Sequence, residues 1–198
     1  ESQMYPPAAG IERFLADNPE KPFICCEYSH AMGNSCGGHY YYTDLAEKNS
    51  RYQGGFIWDF IDQAILYKNH NGVEYLAYGG DFDDRPCDDN FCTDGIVCAD
   101  RTLSPKMPEI KYNYQNIRFE IDKENINIIN KSLFTCTSEY ECIVALYNDG
   151  EFVCKESVAT AVEPMNSGVC TIPALIAEET EKLNGELTYI VSLHLKKD

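Results

Sequence analysis

Short apolar runs alternate with stretches of helical period over the first sixty residues, and the two periods predict different elements. Ile11, Phe14 and Leu15 recur at helical spacing, which predicts an amphipathic helix over 10–18, after an extended start held by Pro6 and Pro7. Phe23, Ile24, Cys25 and Cys26 follow Pro22 as an unbroken apolar run, too short for a helix and suited to a buried strand. Tyr41, Tyr42 and Leu45 predict a second helix over 35–49, and Gly54-Gly55 then opens the buried run Phe56-Ile57-Trp58. This helix–strand–helix–strand order calls for parallel strands with helical crossovers, hence an α/β sheet or barrel.

Beyond Asp62 the pattern loosens. Residues 63–78 read as a hairpin turning at 69–72, residues 79–101 as a long acidic loop, and residues 105–114 as a short helix or turn. A loop of that length inside a compact domain is functional or disordered, and Phe82, Phe91, Ile96 and Val97 favour order. From about 117 onward the pattern is all-β. Runs at 118–122, 125–131, 142–148, 152–156, 168–172 and 187–195 alternate or are β-branched, with Asn, Asp and Gly between them. Six such strands predict an antiparallel sandwich of immunoglobulin-like type. The chain therefore divides at 1–116 and 117–198.

Composition narrows the partners. A hydrophobic content of 44% over 198 residues suits a globular protein with a substantial core. The net charge of −16 argues against nucleic acid and anionic membrane, which need a basic surface. No stretch approaches the roughly 18 apolar residues of a membrane span. Ten cysteines include no C-x-x-C pair, and Cys87, Cys92 and Cys98 match no standard zinc spacing, so small buried thiols in a reducing cytoplasm are expected. The opening E-S-Q-M-Y-P-P lacks an initiator Met, and the chain is expected to be a piece of something longer.

The chemistry concentrates where the first apolar run ends. A carboxylate at the junction of a buried strand and a loop is a costly way to hold a fold and a useful way to attack a substrate. Read alone, Glu27 fits either an attacking group or a cap or ion-pair partner. Likewise His30 and Trp58 fit either a site or a packed interior.

Taken together the motifs carry a resemblance. C-E-Y-S-H-A-M-G-N-S at 26–35, Q-G-G-F-I-W-D-F-I-D-Q at 53–63, A-Y-G-G-D-F at 77–82, F-C-T-D-G-I-V at 91–97 and A-D-R-T at 99–102 resemble, in order and spacing, β-galactosidases of glycoside hydrolase family 2. The resemblance implies the last part of a (β/α)8 TIM barrel, with its site at the C-terminal strand ends, followed by a β-sandwich cut short near Asp198. It implies strand six ending at Met4-Tyr5, strand seven at Glu27 and strand eight at Trp58.

It also implies roles. Glu27 matches the nucleophile of a retaining glycosidase, attacking the anomeric carbon to form a covalent galactosyl-enzyme. Tyr5 matches a tyrosine that orients that carboxylate, and His30 a histidine that hydrogen-bonds sugar hydroxyls. Trp58 matches an aromatic platform for the sugar ring, with Met4 and Asn34 beside the substrate. Phe91 and Asp94 match a motif that holds Na⁺ through a backbone carbonyl and an Asn side chain, with Asp94 here replacing the Asn. The catalytic Mg²⁺ of the family takes ligands that this chain does not contain.

The family's acid/base glutamate follows an asparagine, and no Asn-Glu pair occurs in this sequence. A nucleophile without its proton donor implies an inactive piece of an active enzyme. Alternatives are another family 2 glycosidase, such as a β-glucuronidase or β-mannosidase, and a non-catalytic carbohydrate-binding or assembly module. Open strand edges call for cover, so a homo-oligomer is expected.

Overall fold

The computed structural model describes residues 1–122 and 124–196, in two compact units, Glu1–Tyr114 and Gln115–Asp198. No helix among the described residues is long and apolar enough to cross a membrane.

In the first unit, strand β1 (Ser2–Met4) leads through Pro6-Pro7 into helix α1 (Ala8–Asp17). Pro7 cannot continue a helix backwards, and its carbonyl accepts the amides of Gly10 and Ile11, so the helix starts there. Ile11 and Leu15 are buried, and Phe14 meets Phe23 edge-on at 5.2 Å. Asn18 ends the helix by donating its side-chain amide to the Phe14 carbonyl, and Pro19 follows. Strand β2 (Phe23–Tyr28) then runs parallel between β1 and β3 (Tyr52–Ile57), giving the order β1–β2–β3. Phe23, Cys25 and Tyr28 face a core shared with Ile11, Leu15, Leu45 and Tyr52.

Period-2 alternation places Cys26 on the other face, where it is exposed, so the expectation of a wholly buried run fails at that residue. All ten thiols are free, but only Cys25, Cys36, Cys92 and Cys142 are buried, so the expectation of buried thiols fails for the other six. Gly55 sits where a Cβ would come within 2.6 Å of the Cys25 Cβ, so only glycine lets β3 lie this close to β2.

Helix α2 (Tyr40–Lys48) begins five residues later than the pattern predicted. Cys36 and Gly38 adopt positive φ, of 73° and 70°, and Ser35 turns back to donate to the carbonyl of His30 or Met32. The local hydrogen bonding of that segment is a loop's, and it defeats the helical spacing. The hairpin β4 (Ile65–Lys68) and β5 (Glu74–Ala77) forms where expected, with Asn69 Oδ1 accepting the amides of Asn71 and Val73. Helix α3 (Met107–Asn113) closes the unit. Three parallel strands are too few to close a barrel, and this sheet does not.

The second unit holds two three-stranded antiparallel sheets. One orders β6 (Ile117–Ile121), β7 (Asn125–Asn130) and β10 (Asn166–Thr171) as β10–β7–β6. The other orders β8 (Tyr140–Asn148), β9 (Glu151–Val158) and β11 (Leu187–Leu195) as β11–β8–β9. Ile126 and Ile128 from the first and Val144 and Leu146 from the second share one core, joined by Ile176 of helix α4 (Ala174–Lys182). That helix is a correction to the all-β reading. Ile176 is its only buried residue, so no apolar stripe announces it in the sequence. The truncation expected at Asp198 lies outside the described residues.

Candidate active site

The strand pairings bring the sequence-predicted residues to one end of the parallel sheet. Met4 pairs in register with Glu27, and the Tyr5 amide donates to the Glu27 carbonyl at 2.9 Å. Across β2 the Trp58 amide donates to the Tyr28 carbonyl, and the Ala31 amide to the Trp58 carbonyl at 2.7 Å. Met4, Tyr5, Glu27 and Trp58 thus leave three adjacent parallel strands at their C-terminal ends.

Side chains complete the arrangement. The Tyr5 phenol lies within hydrogen-bonding reach of the Glu27 carboxylate. Loss of solvation, that contact and the negative charge of Glu27 together push its pKa well above the usual phenol range. Tyr5 is therefore a neutral hydroxyl beside the Glu27 carboxylate, with its proton retained. Its ring stands 5.7 Å from that of His30, which stands 5.4 Å from that of Phe91. Nδ1 of His30 accepts the Met32 amide, so in the neutral ring Nε2 carries the proton and is the available donor. Met4 is exposed beside Glu27. Asn34 stands apart, exposed in the loop between β2 and α2, and none of the contacts described here involves it.

Trp58 is half-buried, and its indole Nε1–H donates to Asp94 Oδ2 at 2.7 Å. Asp94 is fully buried, and its other carboxylate oxygen, Oδ1, has no partner. The long acidic segment is thus ordered where it carries Asp94. Its backbone is laced to the stretch after β3 by hydrogen bonds from Asp59 to Asp94, Ile96 to Asp59, Val97 to Phe60 and Asp62 to Val97. A side chain at Gly95 would run into the backbone of Ile61 and Asp62, so the glycine permits this close docking. Asp84, by contrast, is an exposed turn residue, accepting the Gly80 amide.

The expected cation site can be tested on the residues themselves. A buried carboxylate oxygen without a hydrogen-bond donor is an unmet requirement for positive charge, and hard oxygen ligands suit Na⁺. Asp94 therefore fits a monovalent cation. Among the described residues no group of three or more His, Cys, Asp or Glu is placed to hold a metal ion.

A cavity of about 430 Å³ is lined by Glu27 and Trp58 together with Cys26, Phe56, Asp59 and Tyr114. Asp59 and Tyr114 had not been singled out from the sequence. Asp59 is visible there only as the polar residue that ends the Phe56–Trp58 run, and Tyr114 carries no sequence signal.

A family model described as glycosyl hydrolases family 2, TIM barrel domain, matches residues 1–119. The chain belongs to glycosyl hydrolase family 2. A β-galactosidase of Halalkalibacterium halodurans is 47% identical over 198 residues, all of this chain and 19% of its own length. A β-galactosidase of Clostridium acetobutylicum is 48% identical over 87% of this chain and 19% of its own. A β-galactosidase large subunit of Latilactobacillus sakei is 54% identical over 115 residues, 58% of this chain and 18% of that one. The family 2 chain described here thus spans about a fifth of the length of the curated relatives it matches.

Proposed function

We propose that this chain is the nucleophile-bearing part of a retaining β-galactosidase that acts on terminal β-D-galactosyl residues. The observation that carries the reading is the Tyr5–Glu27 pair, a carboxylate with a neutral phenol beside it at adjoining parallel strand ends. Glu27 attacks the anomeric carbon, and the bond from that carbon to the leaving oxygen breaks as the glycosyl–carboxylate ester forms. The leaving oxygen takes its proton from an acid/base carboxyl outside this chain, and water later releases the sugar in a second displacement. Tyr5 orients the nucleophile, His30 donates from Nε2 to a sugar hydroxyl, and the Trp58 face receives the apolar side of the ring. Met4 and Asn34 belong to the substrate rim in this reading.

Na⁺, held by Asp94 with the Phe91 carbonyl, would balance the buried charge and offer an electrophile to a sugar hydroxyl. Mg²⁺ belongs to ligands elsewhere in the whole enzyme. Residues 1–116 form the end of a TIM barrel in this reading, and 117–198 an immunoglobulin-like β-sandwich. A homo-oligomer in the cytoplasm accords with free thiols and open strand edges.

Release of nitrophenol from a nitrophenyl β-galactoside tests the reading. The 198-residue chain is expected to be inactive, and the longer polypeptide active until Glu27→Gln removes the nucleophile. Glu27-dependent turnover by the short chain would show that it carries its own proton donor. Full activity in the longer Glu27→Gln protein would end the assignment.

A further inference from the structure

The long segment after the hairpin does more than bring a carboxylate near the sheet; it fixes the orientation of an indole. Trp58 leaves β3 at the site end, and an indole there is free to take any of about three staggered χ1 wells unless something restrains it. The restraint is visible. Nε1–H donates to Asp94 Oδ2 at 2.7 Å, within the range of a charge-assisted hydrogen bond. The acceptor is itself immobile, because Asp94 is fully buried and its carbonyl accepts the Asp59 amide at 2.8 Å. The next residue, Gly95, donates to Asp62 Oδ1 at 2.8 Å in a space that no side chain could share. Donor and acceptor therefore hang from two backbone segments tied together on both sides of the bond.

We propose that Asp94 is a positioning residue that locks the Trp58 indole in the orientation it presents to a ligand. In this role it touches no reacting atom and acts through Trp58 by way of Oδ2, which leaves Oδ1 for the cation proposed above. A neutral amide oxygen at this position could hold the same N–H, but more weakly, since the charge on the acceptor is what strengthens the bond. The lock is a property of the unliganded chain, while its value to substrate rests on the platform role proposed above.

Trp58 is the sole tryptophan, so its indole gives one Nε1–H cross-peak in an amide-correlation spectrum and one fluorescence signal. Asp94→Asn is expected to keep that peak sharp but move it upfield, towards a neutral acceptor. Asp94→Ala is expected to move it further, to broaden it, and to raise acrylamide quenching of Trp58 about twofold or more as the indole gains freedom. The graded order Asp, Asn, Ala is what a merely structural residue would not produce. Should Asp94→Ala fail to fold, Asp94→Leu, of similar shape but without an acceptor, takes its place. A peak and quenching unmoved in the variant without the acceptor overturn the lock, and a peak unmoved in Asp94→Asn overturns the part played by the charge. The outcome is separate from the nitrophenol assay, since one reads the resting indole and the other the nucleophile.

Discussion

The second unit gathers its buried apolar residues in one core between two sheets, whereas the first unit divides them between two clusters. Ile117, Ile126, Ile128, Val144, Leu146, Val162, Ile172 and Ile176 form a single cluster. In the first unit one cluster lies behind β2 and another, of Ala31, Cys36, Ile96 and Ile110, behind the site loop. Strand β1 is exposed throughout, Phe56 is 64% exposed, and the β4–β5 hairpin shows Ile65, Leu66 and Val73 to solvent. The candidate site residues all lie in the unit whose core is divided. Both units bury polar groups, but those of the second, Asn130, Ser132 and Thr137, are neutral, while the first buries the titratable Asp94 and His39, which hydrophobic packing alone would not select.

The contrast breaks most visibly at Glu27. In the longer polypeptide Glu27→Gln is expected to lower kcat for a β-galactoside by at least about a thousandfold while leaving the melting temperature unchanged or higher. A comparable loss of melting temperature would mean that Glu27 belongs to the packing after all. The reverse pattern is expected of Ile128→Ala, which empties a fully buried side chain and costs about 3 kcal/mol, roughly 15 °C in the melting of a unit this size. Residues 115–198 alone should melt cooperatively by calorimetry, and residues 1–114 alone should not. Equal cooperativity would dissolve the distinction.

A smaller effect sharpens it. Asn130 is buried, donates to the carbonyls of Thr135 and Val162, and accepts the Ser132 amide. Asn130→Ala strands those groups and is expected to cost about 2 kcal/mol in denaturant unfolding. A change below about 0.5 kcal/mol would show that water or backbone adjustment replaces the side chain.

How much of this the sequence disclosed follows the same division. Both parallel strands of the Phe23 and Phe56 runs, the hairpin at Asn69 and six antiparallel strands were legible from alternation and turn residues, but the Phe56–Trp58 run is not buried as expected, with Phe56 exposed and Ile57 and Trp58 half-buried. Residues Tyr5, Glu27, His30, Trp58, Phe91 and Asp94 were legible as candidates through their motifs. What stayed hidden depends on contacts between distant segments. The late start of α2 follows from Cys36 and Gly38 in the left-handed region, and α4 follows from the single residue Ile176 reaching the core. The Trp58–Asp94 bond joins residues 36 apart, and Tyr114 reaches Tyr28 from 86 residues away, beyond the reach of any spacing rule.

His39 gives the finest test, because it is a buried titratable residue in the unit of divided core. Its ring stacks on Tyr28 at 5.1 Å, meets Tyr114 edge-on at 4.9 Å, and lies 3.5 Å from Ser29 Oγ through Nδ1. Burial lowers its pKa, and the nearby Glu109 carboxylate only partly opposes this. In the unfolded chain a histidine takes its proton near pH ~6.5. As the pH falls through that value the unfolded chain gains a proton that the folded unit refuses, so stability drops. The drop levels off once the pH passes below the folded value. His39→Phe keeps an aromatic ring in place and removes the titration. Denaturant unfolding at pH 7.5 and pH 5, values chosen to bracket ~6.5, should show a smaller loss for the Phe variant than for the parent. At pH 7.5 the two should differ by less than about 1 kcal/mol, since the bonds lost are long and weak. Glu109→Gln should steepen the parent's loss by removing the one charge that eases protonation. Identical pH dependence in parent and Phe variant would show that the aromatic enclosure admits the charged imidazolium without penalty.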